Sequence, residues 1–310
     1  MAKPVITVVG SFAVGMTLRT SRMPIFGETL IGSDFDMGPG GKGSNQAVAT
    51  SRLGAESYFV GIIGDDKLGE IATDLYAADG VNTRYLKKTR EMATGVGFII
   101  LNQAGQNGII LDMSANKLMD AAFVDTAEDQ IARSAIVMSV LEIPAAAAAR
   151  AMELGRKHGV KTLLNPAPAT ALGDEVFRNL DYLTPNETEL RILQGLAPDD
   201  PTPTPELAAR LQARGVKTLI VTMGENGALV MERGAAPFQV PGIAVDVVDT
   251  TGAGDAFNSG LAVALAEGKP LREAVQYAAC VGALACTRLG VIPSLATRAA
   301  ADDLYRKTYA

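Results

Sequence analysis

The stretch that decides the fold is Val247–Phe257, which reads VVDTTGAGDAF. Its β-branched start predicts a strand over Ala244–Val248, and the small residues that follow predict a tight loop. A helix is expected to begin near Asp255. Backbone N–H groups in such a loop can point inward, and the helix N-terminus adds partial positive charge. The segment Gly252–Gly254 is therefore predicted to bind an anion.

Asp255 stands at the mouth of that predicted helix, beside the anion site. A carboxylate in this place can accept a proton from a hydroxyl group while the amides stabilise a transferring phosphoryl group. The alternative is that Asp255 only caps the helix, as Asp often does. Spacing alone leaves both interpretations open.

Outward from this segment, short β-branched runs alternate with longer helical patterns, several of which end at a glycine, the usual helix stop signal. The predicted strands are Val5–Val9, Tyr58–Ile63, Ala135–Leu141, Thr162–Leu164, Tyr182–Thr184 and Thr218–Thr222. The predicted helices are Ser44–Leu53, Leu68–Ala78, Ala145–His158 and Glu206–Arg214. This alternation implies right-handed crossovers and an α/β fold, with a mostly parallel central sheet between two helical layers.

Two segments, about 12–38 and 94–111, interrupt this rhythm. The first, Phe12–Met37, holds two alternating strands around a turn at Met23–Gly27, and the second reads as a hairpin whose turn is Asn102–Asn107. We expect them to form a small separate sheet that serves as a lid over a site. The proline-rich stretch Pro198–Pro205 reads as a stiff surface loop rather than a domain linker, so residues 1–310 are expected to form one domain.

Composition excludes several classes of function. The chain has 310 residues, 28 basic against 34 acidic side chains and a formal net charge of -6, which argues against a nucleic-acid partner. No segment reaches the roughly 18 apolar residues expected of a membrane span. Cys280 and Cys286 are six apart on a predicted helix and should not bridge each other, so a reducing, cytoplasmic location is expected. A single histidine, His158, at a predicted helix end makes a zinc site or a histidine-based nucleophile pair unsupported.

A second glycine-rich segment, Gly38–Asn45, reads GPGGKGSN and precedes a helix. It is not a Walker A loop, because Lys42 is followed by Gly43 outside a GxxxxG frame. The glycines allow a close backbone approach to a ligand, and Lys42 and Asn45 can donate hydrogen bonds to hydroxyl groups. A simple glycine turn remains the alternative.

A third segment, Leu183–Glu189, reads LTPNETE at the end of a short strand. Asn186 and Glu189 share a face if a helix begins here, and an amide and a carboxylate suit a hydrated magnesium ion that also holds phosphates. The alternative is a capped helix start. Parallel sheets bind ligands beyond the carboxyl ends of their strands. Four more candidates follow predicted strands in this way: Glu142, Asn165, Thr222 and Gly224.

The order of these motifs carries more information than any one of them. GPGGKGSNQA at 38–47, NPAPA at 165–169, TPNETE at 184–189, DTTGAGDAF at 249–257 and TRLGVIPS at 287–294 together resemble the ribokinase-like (PfkB-type) family of carbohydrate kinases along nearly the whole chain. The resemblance implies an α/β/α sandwich with a small β lid, and phosphoryl transfer from ATP with Mg²⁺ to a primary hydroxyl of a sugar. It also implies a homodimer formed through the lid.

The resemblance also implies roles for matched positions. Asp255 would be the base, with an anion hole made by Gly252, Ala253 and Gly254. Sugar contacts would come from Gly41, Lys42, Asn45 and Glu142. The nucleotide would lie along Asn186, Thr222, Gly224 and Gly227, with Glu189 near Mg²⁺ through water. A monovalent cation, K⁺, would be held near Asp249, Thr251, Ala285, Arg288, Gly290 and Ser294.

One departure from the family concerns the sugar. Members that act on ribose usually carry an Asn and an Asp after the first strand, and Ala13 and Gly15 take those places here. Each lost charge-assisted hydrogen bond to a buried hydroxyl costs about 1.5–3 kcal/mol. Ribose is therefore not expected to be the best substrate. A nucleoside kinase on the same fold and a non-catalytic sugar- or nucleotide-binding regulator remain as alternatives.

Overall fold

A computed structural model of the chain describes residues 3–102 and 107–309. Within those ranges the strands are β1 Val5–Val9, β2 Ala13–Arg19, β3 Ser33–Gly40, β4 Glu56–Gly64, β5 Asn82–Thr89, β6 Gly95–Leu101, β7 Asn107–Asp112, β8 Ile136–Val140, β9 Lys161–Asn165, β10 Tyr182–Leu183, β11 Thr218–Thr222, β12 Ala228–Glu232 and β13 Phe238–Val240. The helices are α1 Lys42–Arg52, α2 Lys67–Asp79, α3 Ala121–Asp125, α4 Glu128–Arg133, α5 Ala145–Lys157, α6 Asp174–Arg178, α7 Glu187–Ile192, α8 Thr204–Ala213, α9 Ala253–Ala266, α10 Leu271–Ala285, α11 Val291–Ser294 and α12 Arg298–Tyr309. Single 3₁₀ turns occupy Ser114–Leu118 and Gly224–Asn226.

The large sheet has the strand order β13-β12-β11-β10-β9-β8-β1-β4-β5. Its strands from β11 to β5 pair in parallel, and β12 and β13 extend one edge as antiparallel strands. The predicted α/β/α class with a mostly parallel central sheet is confirmed.

Side-chain alternation along the central strands produces a separate apolar core on each face of this sheet. Ile6 and Val8 of β1 pack with α1, α9 and α10, whereas Val9 packs in the other cluster, with α5 and α8. Strands that bury both faces read as continuous apolar runs, which is why the sequence identified them.

The two irregular segments form the predicted small sheet, which we call the lid sheet: β3-β2-β6-β7. β2 pairs antiparallel with β3 and parallel with β6, and β6 pairs antiparallel with β7. The predicted hairpin is therefore confirmed in its strands, while residues 103–106 of its predicted turn, Asn102–Asn107, lie outside the described residues.

The predicted strand Ala244–Val248 is wrong. This stretch is irregular, with Val247 63% and Val248 59% exposed. The edge ladder stops at β13 because Pro241, which follows it, has no N–H to continue the pairing. The N–H groups of Val248 and Asp249 instead donate to the carbonyl of Cys286, so this loop is tied to the end of α10.

Cys280 and Cys286 are both free thiols, Cys280 buried and Cys286 half-buried. His158 caps the C-terminus of α5 and contacts Glu128. Residues 198–203 form a loop before α8. Among the described helices, each is too short or too polar to cross a bilayer.

Candidate active site

Asp255 lies in the first turn of α9 with only 4% of its surface exposed. Both carboxylate oxygens accept hydrogen bonds from amides of α1. Oδ2 accepts from Nδ2 of Asn45 at 2.8 Å, and Oδ1 accepts from Nε2 of Gln46 at 3.1 Å. Asp255 therefore does not act as the N-cap, which is Gly252. The carboxylate is instead bound to a different helix, more than 200 residues earlier in the chain.

The N-terminus of α9 is open on the side of Gly254. A Cβ on Gly254 would meet no neighbouring atom within 4 Å, so the space beside this residue is open. Gly252 adopts a left-handed φ of 83°, which only glycine reaches without strain. The amides of Gly254 and Asp255 belong to the first turn, where N–H groups have no partner within the helix. This arrangement is suited to an anion.

The glycines before α1 serve a close contact between two backbones. A Cβ on Gly43 would stand 2.4 Å from the backbone nitrogen of Ser11, and a Cβ on Gly41 would stand 2.8 Å from that of Ala13. Gly41 also has a φ of 89°. The start of α1 therefore packs directly on residues 10–13, which places Lys42 and Asn45 beside the end of β1. These glycines therefore allow a close contact between two parts of the backbone, which a simple turn would not require.

Glu142 is half-buried where these backbones meet. Its Oε2 accepts a hydrogen bond from the hydroxyl of Ser11 at 2.6 Å and from the backbone N–H of Lys42 at 2.7 Å. Burial raises the pKa of Glu142, while Ser11 and Lys42 oppose that shift. The charge of Asp255 in turn raises the pKa of Lys42, and Glu142 adds to the effect. One ammonium and two carboxylates thus meet in this part of the site.

Asn186 and Glu189 form a reciprocal capping box at the start of α7. The Asn186 side chain accepts from the backbone of Glu189, and Oε2 of Glu189 accepts from the backbone of Asn186, each at 2.8 Å. The capping interpretation of this pair is therefore confirmed. Burial raises the pKa of Glu189. A parallel bridge places Asn186 directly beside Thr222, at the end of β11.

Gly224 and Gly227 shape the turn that follows β11. Their φ angles are 55° and 84°, and a Cβ on Gly227 would stand 2.0 Å from the carbonyl oxygen of Val240. The turn is thus folded tightly against the end of β13. Together with Asn186 and Thr222, it forms one edge of the site.

Among the residues predicted to hold a monovalent cation, hydrogen bonds connect Asp249 to Thr251 and to Gly290. Asp249 accepts from the backbone N–H of Thr251 at 2.9 Å and from that of Gly290 at 3.1 Å, which connects the loops before α9 and α11. These bonds help to lower its pKa against the effect of burial. Ala285 ends α10, Arg288 is exposed, and the hydroxyl of Ser294 donates to the carbonyl of Val291.

The geometry accords with a comparison of the whole chain. The model of the family described as pfkB family carbohydrate kinase matches residues 3–298. The chain belongs to this family. It is an ATP-dependent sugar kinase, a phosphotransferase.

Relatives of this pfkB-family kinase are similar over nearly its whole length. It is 36% identical to a ribokinase of Haemophilus influenzae over 94% of this chain and 95% of that protein. It is 38% identical to a deoxyribokinase of Salmonella typhi over 81% of this chain and 82% of that protein. Its structure superposes on that of Arabidopsis thaliana ribokinase complexed with ribose and ATP with a TM-score of 0.91, at 31% identity, covering 98% of this chain and 99% of that chain.

Sequence reasoning missed two polar groups in this kinase. Ser11 bonds to Glu142, and Gln46 bonds both to Asp255 and, at 3.1 Å, to Oδ1 of Asn165. Gln46 directly follows the predicted Asn45 and is fully buried. A glutamine in a helix face otherwise filled by small and apolar residues was the available signal.

Proposed function

We propose that this kinase phosphorylates a primary hydroxyl of a sugar and that Asp255 is its catalytic base. The observation that carries the proposal is the buried Asp255 carboxylate, held by two amides at the open N-terminus of α9. The substrate hydroxyl gives its proton to Asp255, its oxygen attacks the γ-phosphorus of ATP, and ADP leaves. The amides of Gly252, Ala253 and Gly254 are the proposed donors to the negative charge on the transferring group. The N–H of Ala253 donates to the carbonyl of Thr250 at 3.2 Å in this structure, so it would exchange that bond for one to the phosphoryl group.

The polar groups around Asp255 fit a polyhydroxylated substrate. Oδ1 of Asn45 is buried and has no hydrogen-bond partner among the described residues. An unsatisfied buried acceptor costs about 1–3 kcal/mol, so a hydroxyl donor from a bound sugar would remove that cost. We assign the sugar contacts to Gly41, Lys42, Asn45 and Glu142, because Lys42 and Glu142 adjoin both Asp255 and the close contact around Gly41.

The edge formed by Asn186, Thr222, Gly224 and Gly227 is the proposed nucleotide side. Magnesium usually keeps several waters and binds one or two carboxylates together with substrate phosphates. Among the described residues no three His, Cys, Asp or Glu side chains cluster as metal ligands, so Glu189 is proposed to reach the ion through water. Since burial raises the pKa of Glu189, a nearby cation would favour its ionised form. When bound, Mg²⁺ supplies charge neutralisation on the phosphates.

A K⁺ site is proposed near Asp249, Thr251, Ala285, Arg288, Gly290 and Ser294. Asp249 and the first turn of α9 are only a few residues apart, so an ion held there would brace the loop that leads to Gly252. The lowered pKa of Asp249 leaves a carboxylate available at neutral pH. The test is turnover with KCl against tetramethylammonium chloride at equal ionic strength.

The size of the proposed substrate is inferred from small residues in the lid sheet. Alternation places Ala13 and Gly15 on one side of β2, and the hydroxyl of Ser11, just before β2, donates to Glu142. The cross-strand neighbours of Gly15 are Gly38 and Gly97, so three strands lack side chains there. A substrate that is bulkier or carries fewer hydroxyls than ribose is therefore proposed.

We further propose that the lid sheet closes over the site and joins two copies of the chain. Its other face carries a cross-strand row of Met37, Met16, Phe98 and Ile110, of which Phe98 is 50% and Ile110 67% exposed. Sedimentation of the protein and of Phe98→Glu would show whether that variant shifts a dimer to monomer. A cytoplasmic location is proposed from the two free thiols.

The test of the function is ADP release from ATP and Mg²⁺ with a panel of pentoses, deoxy sugars, hexoses, polyols and nucleosides. Asp255→Asn should lower turnover at least about 1,000-fold with the preferred sugar, while sugar binding measured by calorimetry persists. An unchanged rate would remove Asp255 from the role of base. Preference for a nucleoside would favour the nucleoside kinase alternative, and binding without turnover across the panel would favour the regulator.

A further inference from the structure

Asp255 belongs to a closed ring of buried hydrogen bonds. Nε2 of Gln46 donates both to Oδ1 of Asp255 and to Oδ1 of Asn165, each at 3.1 Å. Nδ2 of Asn165 donates to the carbonyl of Thr184 at 3.3 Å, and the Thr184 hydroxyl donates to Oδ1 of Asn258 at 2.5 Å. Nδ2 of Asn258 then donates to the carbonyl of Gly254 at 2.8 Å, which returns the ring to the residue before Asp255.

The ring connects two helices with the carboxyl ends of two neighbouring central strands of the large sheet. Gln46 lies on α1, Asn165 ends β9, Thr184 directly follows β10 and Asn258 lies on α9. The side chains of these residues and of Asp255 are at most 6% exposed. Because buried polar groups are costly unless they are hydrogen-bonded, each member restrains the next.

The orientation of the Gln46 amide follows from its partners. Its nitrogen faces two acceptors, the oxygens of Asp255 and Asn165. A flipped amide would set its own oxygen against both, so only one orientation is favourable. A hydroxyl bond adds a second tie between the helices, since Oγ of Ser259 donates to the backbone carbonyl of Gln46 at 3.2 Å and to that of Asp255 at 2.8 Å.

We infer that Gln46, Asn165, Thr184 and Asn258 are positioning residues that fix the Asp255 carboxylate relative to the first turn of α9. The inference rests on the proposed role of Asp255 as base. A base must lie within hydrogen-bond reach of the proton that it accepts, and displacement of a reacting group by about 1 Å can cost about 100-fold in rate. The ring determines both the rotamer of the carboxylate and the place of the Gly254 carbonyl, so it fixes base and anion site together.

The first experiment removes one hydroxyl that does not touch Asp255. Thr184→Val keeps the shape of the side chain but opens the ring, and kcat is expected to fall about 10-fold while KM for sugar and ATP stays within about 2-fold. Thr184→Ser restores the hydroxyl and should recover most of kcat. The matched control is Thr7→Val in β1, which removes a buried hydroxyl that is hydrogen-bonded to the hydroxyl of Ser134 and is not part of the ring. It should lower the melting temperature to a similar extent with normal kcat.

A second variant gives a readout that loss of structure would not produce. Gln46→Glu places a second carboxylate beside Asp255, and two such groups share a proton. The acid limb of the kcat profile should move to higher pH by at least about one unit, with part of the rate recovered at alkaline pH. If Thr184→Val keeps full kcat and Gln46→Glu keeps the parental pH profile, the ring has no positioning role. Asp255→Asn separates the two questions, because a normal rate in that variant would overturn the proposed base itself.

Discussion

The open space beside Gly254 yields a prediction in which stability and activity move in opposite directions. In Gly254→Ala the new methyl group meets no protein atom within 4 Å, and the residue lies in a helix with no left-handed φ. Replacing glycine by alanine at such a position reduces the freedom of the unfolded chain and stabilises by about 0.4–1 kcal/mol. For a chain of 310 residues that corresponds to a rise in melting temperature of about 0.6–1.5 °C.

The same methyl group would occupy open space at the helix terminus that is proposed to bind the transferring phosphoryl group. The backbone N–H is kept in this variant, but a methyl group that holds the phosphoryl group away from one amide has the same effect as loss of a donor, which costs about 100- to 1,000-fold in kcat. Turnover of Gly254→Ala should therefore fall by at least about 100-fold. Thermal unfolding without ligands and ADP release with saturating ATP and sugar measure the two effects. Near-normal turnover in a folded Gly254→Ala protein would refute the assignment of this helix terminus to the transferring phosphoryl group.

The matched control lies at the other end of the same helix. Gly268 follows α9 with a φ of 82°, and a Cβ there also has no neighbour within 4 Å. Gly268→Ala should therefore lose about 1–2 kcal/mol of stability through backbone strain alone and keep kcat. The two variants together separate an effect of glycine replacement from an effect on the site.

Three further predictions follow from other contacts. Gly43→Ala sets a Cβ 2.4 Å from the backbone nitrogen of Ser11, so it should destabilise by about 1–3 kcal/mol in chemical denaturation and also lower activity. Glu142→Gln should flatten the pH dependence of unfolding. The raised pKa of Glu142 makes the folded state hold more protons than the unfolded state above pH 4.5, so the stability of the parent falls as pH rises. The variant should match or exceed the stability of the parent near neutrality but bind sugar more weakly, and equal sugar affinity would contradict the role of Glu142. Arg52→Met removes a bidentate pair with Asp79 whose members are 23% and 13% exposed, and should cost about 2 kcal/mol with unchanged kcat.

The sequence predicted the central strands because burial on both faces leaves an unbroken apolar run, as in Val5–Val9 and Thr218–Thr222. It did not reveal β5, whose residues are largely polar and exposed at the sheet edge, since its strand state depends on pairing with β4. For Ala244–Val248 the error was the reverse, because a strand was predicted where the structure has none. Its valines have strand propensity but no neighbouring strand to pair with, so tertiary context overrode the local preference.

In the site, too, residues that belong to a local motif were predicted from the sequence, whereas a residue defined by partners distant in the chain was not. Asp255 and Asn45 were predicted from motifs in which each residue stands beside glycines, and a glycine pattern is visible in the chain. The part played by Gln46 was not, because its partners are 119 and 209 residues away. The role of this buried amide becomes visible only when the fold brings its nitrogen beside two acceptors, on Asp255 and on Asn165.

The attachment of the lid sheet has a mechanical consequence. The side chain of Asn116 donates to the carbonyl and accepts from the N–H of Phe12, which pins the chain just before β2, while the far end of β2 is exposed. The 7 residues of β2 span about 23 Å, and this length acts as a lever arm. A rotation of about 10° at Asn116 would swing the tip by about 4 Å, while residues beside the pivot would move by less than 1 Å. In the proposed closure the tip of the lid sheet would therefore move over the substrate, while the backbone contact that supports Lys42 and Glu142 stays in place.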